Sequence, residues 1–102
     1  MNFIVNEMEL SQSNNIRVLY FCASWMPFHK RMIKIIESIE KKYTNIQFQS
    51  VDVDFFKNLC IRFDITSIPT LLIFRENKEI IRINGLILAS ALKKVFVDIC
   101  KM

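Results

Sequence analysis

The sequence predicts an α/β fold: one domain over residues 1–102, with a central mixed sheet of about five strands flanked by about four helices. Three observations predict it. Short apolar segments rich in branched and aromatic residues alternate with segments of helical period. The alternation ends in two strands joined by a short polar turn, followed by a last helix. No repeat, low-complexity tract or linker divides the chain. A βαβ unit followed by a ββα unit combines parallel and antiparallel pairs in one sheet, with helices on both faces.

Taken in order, Asn2–Val5 reads as a short edge strand, and the polar Asn6–Asn15, with Met8 and Leu10 as apolar points, as a short helix before a loop. Ile16–Ala23 is almost continuously apolar, the pattern of a strand buried on both faces. Pro27 is expected to begin a helix, because its missing N–H costs nothing at the first helical position. From there to Tyr43 the period is helical: Met32, Ile36, Ile39 and Tyr43 form one stripe, Ile33 and Ile35 lie beside it, and charges fill the other face.

Ile46–Val53 reads as the next strand. Asp54 is expected to cap a short helix carrying Phe56, Leu59, Cys60 and Phe63. Thr70–Phe74 and Glu79–Ile83 are strands joined by a polar Arg75–Lys78 turn. Gly85 precedes a final helix whose apolar residues Leu88, Ala91, Leu92, Val95, Phe96 and Ile99 keep i, i+3, i+4 spacing.

Composition excludes several classes. Hydrophobic residues make up 52% and charged residues 24%, which is globular rather than disordered. The net charge is +4, but Lys30, Arg31, Lys34, Lys41 and Lys42 alternate with apolar residues and are interrupted by Glu37 and Glu40. They read as a solvated helix face, and no nucleic-acid motif accompanies them, so no nucleic acid is expected as partner. Cys22, Cys60 and Cys100 are far apart and odd in number, which fits neither a metal knuckle nor a secreted disulfide framework. Glu7 and Glu9 interrupt what a signal peptide would need as an apolar core, and no apolar run is long enough to span a membrane. The expectation is a cytoplasmic protein with no membrane partner, no metal and no cofactor. The oligomeric state is not encoded in any of these patterns.

Within this layout, Leu19-Tyr20-Phe21-Cys22-Ala23-Ser24-Trp25 followed by Met26-Pro27-Phe28-His29-Lys30 resembles the thioredoxin family. There a buried strand ends in Phe-X-Ala-X-Trp, and Cys-Gly-Pro-Cys-Lys opens the next helix. Val51-Asp52-Val53-Asp54 is similar to the end of the family's third strand. Ile68-Pro69-Thr70 is similar to its cis-proline loop, followed by an apolar strand ending at Phe74, and Gly85 falls where the family has a glycine before its last helix. The resemblance covers nearly the whole chain and implies the thioredoxin fold.

For activity the resemblance implies a loss. Met26 and His29 stand in place of the two redox cysteines, so the active-site equivalent is Met26, Pro27, Phe28 and His29. Disulfide exchange needs one thiolate to attack and a second thiol to resolve the mixed disulfide. Neither thioether nor imidazole does either. Tyr20 aligns with the family's buried acid, and Ser50 with the lysine that commonly neighbours it. The expected protein is a redox-inactive thioredoxin-like module with an atypical active site. It keeps the family's setting of redox homeostasis and binds a protein or extended peptide in the former active-site groove.

Trp25, Met26, Phe28, Ile68, Pro69, Thr70 and Gly85 are the expected partner-binding residues. The resemblance implies that Ile68, before a cis proline, offers its backbone to an extended partner by strand addition. The plainer reading is that Pro69 only shapes the loop. The run Trp25 to Phe28 is expected to form an exposed apolar patch suited to contact, unless Phe28 turns inward and leaves Trp25 and Met26 outside.

His29 reads as a surface histidine, since without a second ligand it makes a poor metal site. Cys22 has two readings. As a thiol activated near His29 it would give an atypical single-cysteine oxidoreductase, the alternative function. As a buried thiol it would be inert. Cys60 and Cys100 read as core or rim residues.

Overall fold

The computed structural model describes residues 2–3 and 15–101. Strands β1 (Asn2–Phe3), β2 (Ile16–Cys22), β3 (Gln47–Asp52), β4 (Thr70–Arg75) and β5 (Lys78–Asn84) alternate with helices α1 (His29–Glu40), α2 (Lys57–Arg62) and α3 (Ala89–Cys100). The sheet runs β1-β3-β2-β4-β5. β1, β3 and β2 are parallel, while β4 is antiparallel to both β2 and β5. The mixed sheet and the element order match the expectation. The helix expected over Asn6–Asn15, and the outer half of the first strand, lie outside the described residues.

β2 is central, and all seven of its residues are buried, which is why its sequence shows no polar alternation. Val18, Tyr20 and Cys22 face one core with Met32, Ile36 and Ile39 of α1 and Leu92, Phe96 and Ile99 of α3. Leu19 and Phe21 face the other, with Leu59 of α2. Each fully buried aliphatic or aromatic side chain here stabilises the fold by roughly 1.5–3 kcal/mol. Arg17 is also buried, its guanidinium donating to Gln49 Oε1 at 3.0 Å.

Four local features depart from the sequence expectations or were not visible in them. Pro27 does not begin α1. Met26 N–H donates to the Ala23 carbonyl at 3.1 Å and His29 N–H to the Met26 carbonyl at 3.2 Å, closing two successive turns before the helix. Pro27 and Phe28 are the central residues of the second turn, and Phe28 has φ 62° and ψ 16°. Proline at the first central position and positive φ at the next is the type II pattern. The helix therefore starts at His29.

Asp54 does not cap α2. The N-cap there is Phe56, with no side-chain hydrogen bond, and the Asp54 carboxylate is turned toward Trp25 instead. At the other end of α2, Asp64 takes φ 54°. Its N–H reaches the Ile61 carbonyl at 3.1 Å and Ile65 N–H reaches the Cys60 carbonyl at 2.8 Å, the paired bonds of a Schellman ending without its usual glycine. Arg82 of β5, paired with Glu79, closes the same end by donating to the Phe63 and Asp64 carbonyls at 2.8 and 3.1 Å. Glu76 and Asn77, at φ 50° and 69°, form the two-residue β4–β5 turn, the primed geometry that matches strand twist.

Candidate functional site

The topology gathers the expected site residues at one end of the sheet. Parallel β2 and β3 finish there, antiparallel β4 begins there, and β5 returns to it. Registers align Cys22 with Asp52, Phe21 with Thr70, and Thr70 with Asn84. The turns that follow Cys22 and Asp52, the Ile68–Pro69 segment and Gly85 thus share one edge because of strand direction alone.

Trp25 is 66% exposed. Its Nε1–H donates to Asp54 Oδ2 at 2.9 Å, and Asp54 N–H donates in turn to Asp52 Oδ1 at 2.9 Å. Two connections, after β2 and after β3, are tied together through the indole. This holds an apolar ring at the surface in a fixed orientation, which lowers the ordering cost of using it as a contact.

The apolar run expected to lie outside is split. Met26 is only 6% exposed and joins the α1–α3 core, so it is not a contact residue. The turn that folds Met26 N–H back onto Ala23 points its side chain inward. Phe28, at 55%, is outside, and the Arg31 guanidinium lies 5.3 Å from its ring centroid. The left-handed backbone at Phe28 is sparsely populated for a bulky residue, a strain of about 1–3 kcal/mol. His29 is half-buried rather than a surface residue, and its Nδ1 is enclosed without a hydrogen-bond partner among the described residues.

Beneath the turn lies a buried polar row. Cys22 is 2% exposed, in one core with Tyr20 and Met26. Burial first, and then the charge of Asp52, pushes its thiol up to about 12. That is opposite to the activation a nucleophilic thiol needs, so the structure favours the buried, inert reading. Burial, and then Cys22, also raises the Tyr20 phenol above its ordinary value. Tyr20 and its register partner Ser50 both carry buried hydroxyls with no hydrogen-bond partner among the described residues. Neither supplies the ionisable carboxyl or ammonium that would move a proton here. The three cysteines are free thiols, and among the described residues no group of three His, Cys, Asp or Glu stands close enough to hold a metal.

On the β4 side, the Ile68–Pro69 peptide is cis. Pro69 and Thr70 are buried, which corrects their expected role as contacts. They brace the edge from below. The Pro69 carbonyl accepts from Gly85 N–H at 2.7 Å, and Thr70 Oγ1 lies 2.7 Å from the Ser67 carbonyl and 3.0 Å from Asn84 Oδ1. Gly85, at φ 87°, takes a conformation that side chains disfavour. Half-buried Ile68 has neither its N–H nor its carbonyl in a hydrogen bond among the described residues.

The structure thus leaves Trp25, Ile68 and Gly85 as available surface, and sends Phe28 to a different hollow, with Leu86 and Leu88. Those two leucines were not singled out from sequence, where Leu88 counted as the first residue of an apolar helical stripe. Asp54 was singled out for the wrong bond.

A family model described as Thioredoxin matches residues 5–98. Thioredoxin H2 of Arabidopsis thaliana is 31% identical over 77 residues, 76% of this chain but 58% of that protein, so the chain spans little more than half the length of this curated relative. Thioredoxin-2 of Saccharomyces cerevisiae is 28% identical over 76 residues, 74% of this chain and 73% of that one. Among solved structures, oxidised thioredoxin from Plasmodium falciparum superposes with a TM-score of 0.86 at 26% identity, covering 95% of each chain.

Proposed function

We propose that this chain, which belongs to the thioredoxin family, binds an extended peptide or protein segment at the sheet end carrying Trp25, Ile68 and Gly85, and carries out no dithiol exchange there. The observation that carries the reading is the pairing at this end of an exposed indole held by Asp54 with a backbone N–H and carbonyl, those of Ile68, that have no hydrogen-bond partner among the described residues. A strand laid along Ile68 would satisfy both groups, as in recognition by strand addition. Main-chain bonds would give affinity for any extended segment, and the Trp25 ring would select side chains.

The absence of exchange rests on sulfur. Met26 and His29 occupy the places that two thiols hold in the family motif. Cys22, beneath them, has a thiol at about 12, leaving roughly one molecule in 10⁵ as thiolate at neutral pH. A thiol so buried has no route to a disulfide in a partner. The setting we propose is redox homeostasis in a reducing cytoplasm, where the free thiols at Cys60 and Cys100 stay reduced. No helix among the described residues is long and apolar enough to cross a membrane.

Insulin reduction with dithiothreitol tests the chemistry: the chain is expected to add nothing to the uncatalysed rate. Turnover that disappears in Cys22→Ala would restore the single-cysteine oxidoreductase reading. The binding half is tested by capture of partner proteins on immobilised native chain and on a Trp25→Ala, Ile68→Asp variant. Equal recovery of every partner on both would remove this face from consideration.

A further inference from the structure

The end of β2 and the two turns after it hold a thiol, a thioether and an imidazole that peptide binding does not use. Cys22 is the last residue of β2. Met26 N–H returns to the Ala23 carbonyl and His29 N–H to the Met26 carbonyl, and each such turn brings its end residues within about 7 Å, Cα to Cα. The chain therefore folds Met26 and His29 back over Cys22. Cys22 and Met26 are buried in one core, so the thiol and the thioether lie on the same side of the sheet.

Two further groups at this place lack partners. His29 Nδ1 is enclosed with no hydrogen-bond partner among the described residues, although the residue as a whole is half-buried and so reaches solvent. Tyr20 stands two residues before Cys22 on β2, hence on the same face. It is 1% exposed, and its hydroxyl also has no partner among the described residues. A buried nitrogen lone pair and a buried O–H donor are thus left over beside a buried thiol.

The chemistry of the set selects its ligand. Thiolate and thioether are soft donors that suit Cu(I), and imidazole suits copper as well. Harder cations want carboxylates. Asp52, in register with Cys22, keeps Oδ1 on Asp54 N–H at 2.9 Å, and among the described residues no cluster of three His, Cys, Asp or Glu is available to such an ion. Charge points the same way. Cu(I) with one thiolate is neutral, whereas a divalent ion on the same three donors would leave a positive charge in an apolar core.

We infer that Cys22 Sγ, Met26 Sδ and His29 Nδ1 form a site for one Cu(I) ion, with the Tyr20 hydroxyl donating to the Cys22 sulfur. On binding, the Cys22 S–H bond breaks and its proton leaves to water. An S–Cu bond takes its place, and copper enters and stays as Cu(I). Half-buried His29 is the entry side. The inference does not rest on peptide binding at Trp25 and Ile68, and either can fail alone.

Anaerobic competition with bicinchoninate, a coloured Cu(I) chelator, tests it in a Cys60→Ala, Cys100→Ala chain, whose one remaining thiol is Cys22. That chain is expected to withdraw one equivalent of Cu(I), and adding Cys22→Ala to abolish the uptake. Met26→Leu and His29→Gln should each weaken binding by more than the roughly 10–100-fold typical of a lost outer partner, and Tyr20→Phe by an amount within that range. Met26→Leu nearly conserves volume, and a thermal melt confirms that it folds; His29→Gln gives an independent reading if it does not. X-ray absorption at the copper edge should show sulfur and nitrogen neighbours in the loaded chain, with fewer sulfurs in Met26→Leu. No uptake against the chelator, undiminished affinity in folded Met26→Leu or in His29→Gln, or a tighter hold on Zn(II) than on Cu(I) overturns the inference.

Discussion

The indole Nε1–H of Trp25 donates to Asp54 Oδ2 at 2.9 Å across the gap between two loops, making an exposed aromatic ring a fixed part of the surface. Trp25 is the chain's one tryptophan, so its emission reports this bond without interference. Asp54→Ala is expected to shift that emission and to lower stability by about 1 kcal/mol, the net worth of one hydrogen bond near solvent. Unchanged emission together with an unchanged urea midpoint would show that the ring is held by packing alone.

The backbone at Phe28 yields a prediction about glycine and alanine. Phe28 is a helix N-cap at φ 62°, where glycine is free of the Cβ clash that alanine suffers. Phe28→Gly is therefore expected to be more stable than Phe28→Ala by about 1 kcal/mol, the order that both the left-handed backbone and the N-cap position favour. Urea denaturation of the two variants checks it. A more stable alanine variant would mean that the turn relaxes out of the left-handed region.

Cys22 links the core to pH. Its thiol rises from an ordinary 9.0 to about 12 in the fold, so between those values the folded chain holds a proton that the unfolded chain has released. Stability is then fully present below about pH 9 and declines as pH rises toward 12, with a slope of at most about 1.4 kcal/mol per pH unit. Urea midpoints at pH 8, 9 and 9.5 should show this loss, and Cys22→Ala should reduce it, whereas above about pH 10 the raised Tyr20 phenol adds a loss of the same sign in both chains. Iodoacetamide at neutral pH should label exposed Cys100 first and Cys22 only after unfolding. Labelling of Cys22 in the native chain at the Cys100 rate would contradict its burial.

Restoring the two sulfurs is not expected to restore a thioredoxin. In a Met26→Cys, His29→Cys double variant the thiol at position 26 would be enclosed where Met26 now packs, and Tyr20 and Ser50 would still offer no proton relay. Missing general acid–base help is worth roughly 10²–10⁴ in rate. Insulin reduction by the double variant should therefore fall at least about a hundredfold below that of an active thioredoxin. Tyr20→Asp added to it should recover part of the difference. Full rates in the double variant would show that the residues beneath the turn matter little.

Most of the architecture was legible because it is written in periodicity. The unbroken apolar run over β2 encodes burial on two faces, and the stripe Met32, Ile36, Ile39 encodes the face that α1 turns to the sheet. Individual loop residues were not legible in the same way. Pro27 is favourable at the start of a helix and equally at the first central position of a type II turn, and only the bonds that the Ala23 and Met26 carbonyls accept, from Met26 and His29 N–H, choose between them. Asp54 suits a cap as well as it suits an indole, and the choice depends on the loop that β2 brings beside it.

The sequence by itself determined the sheet and the helices that cover it, because apolar periodicity is a local property. Tertiary structure alone decided that Met26 turns inward, that Cys22 is sealed beneath it, and that Phe28 and Leu88 line one hollow. Those outcomes depend on which backbones lie within a few ångströms of one another, and strand order and turn geometry, rather than any residue's own preference, set that distance.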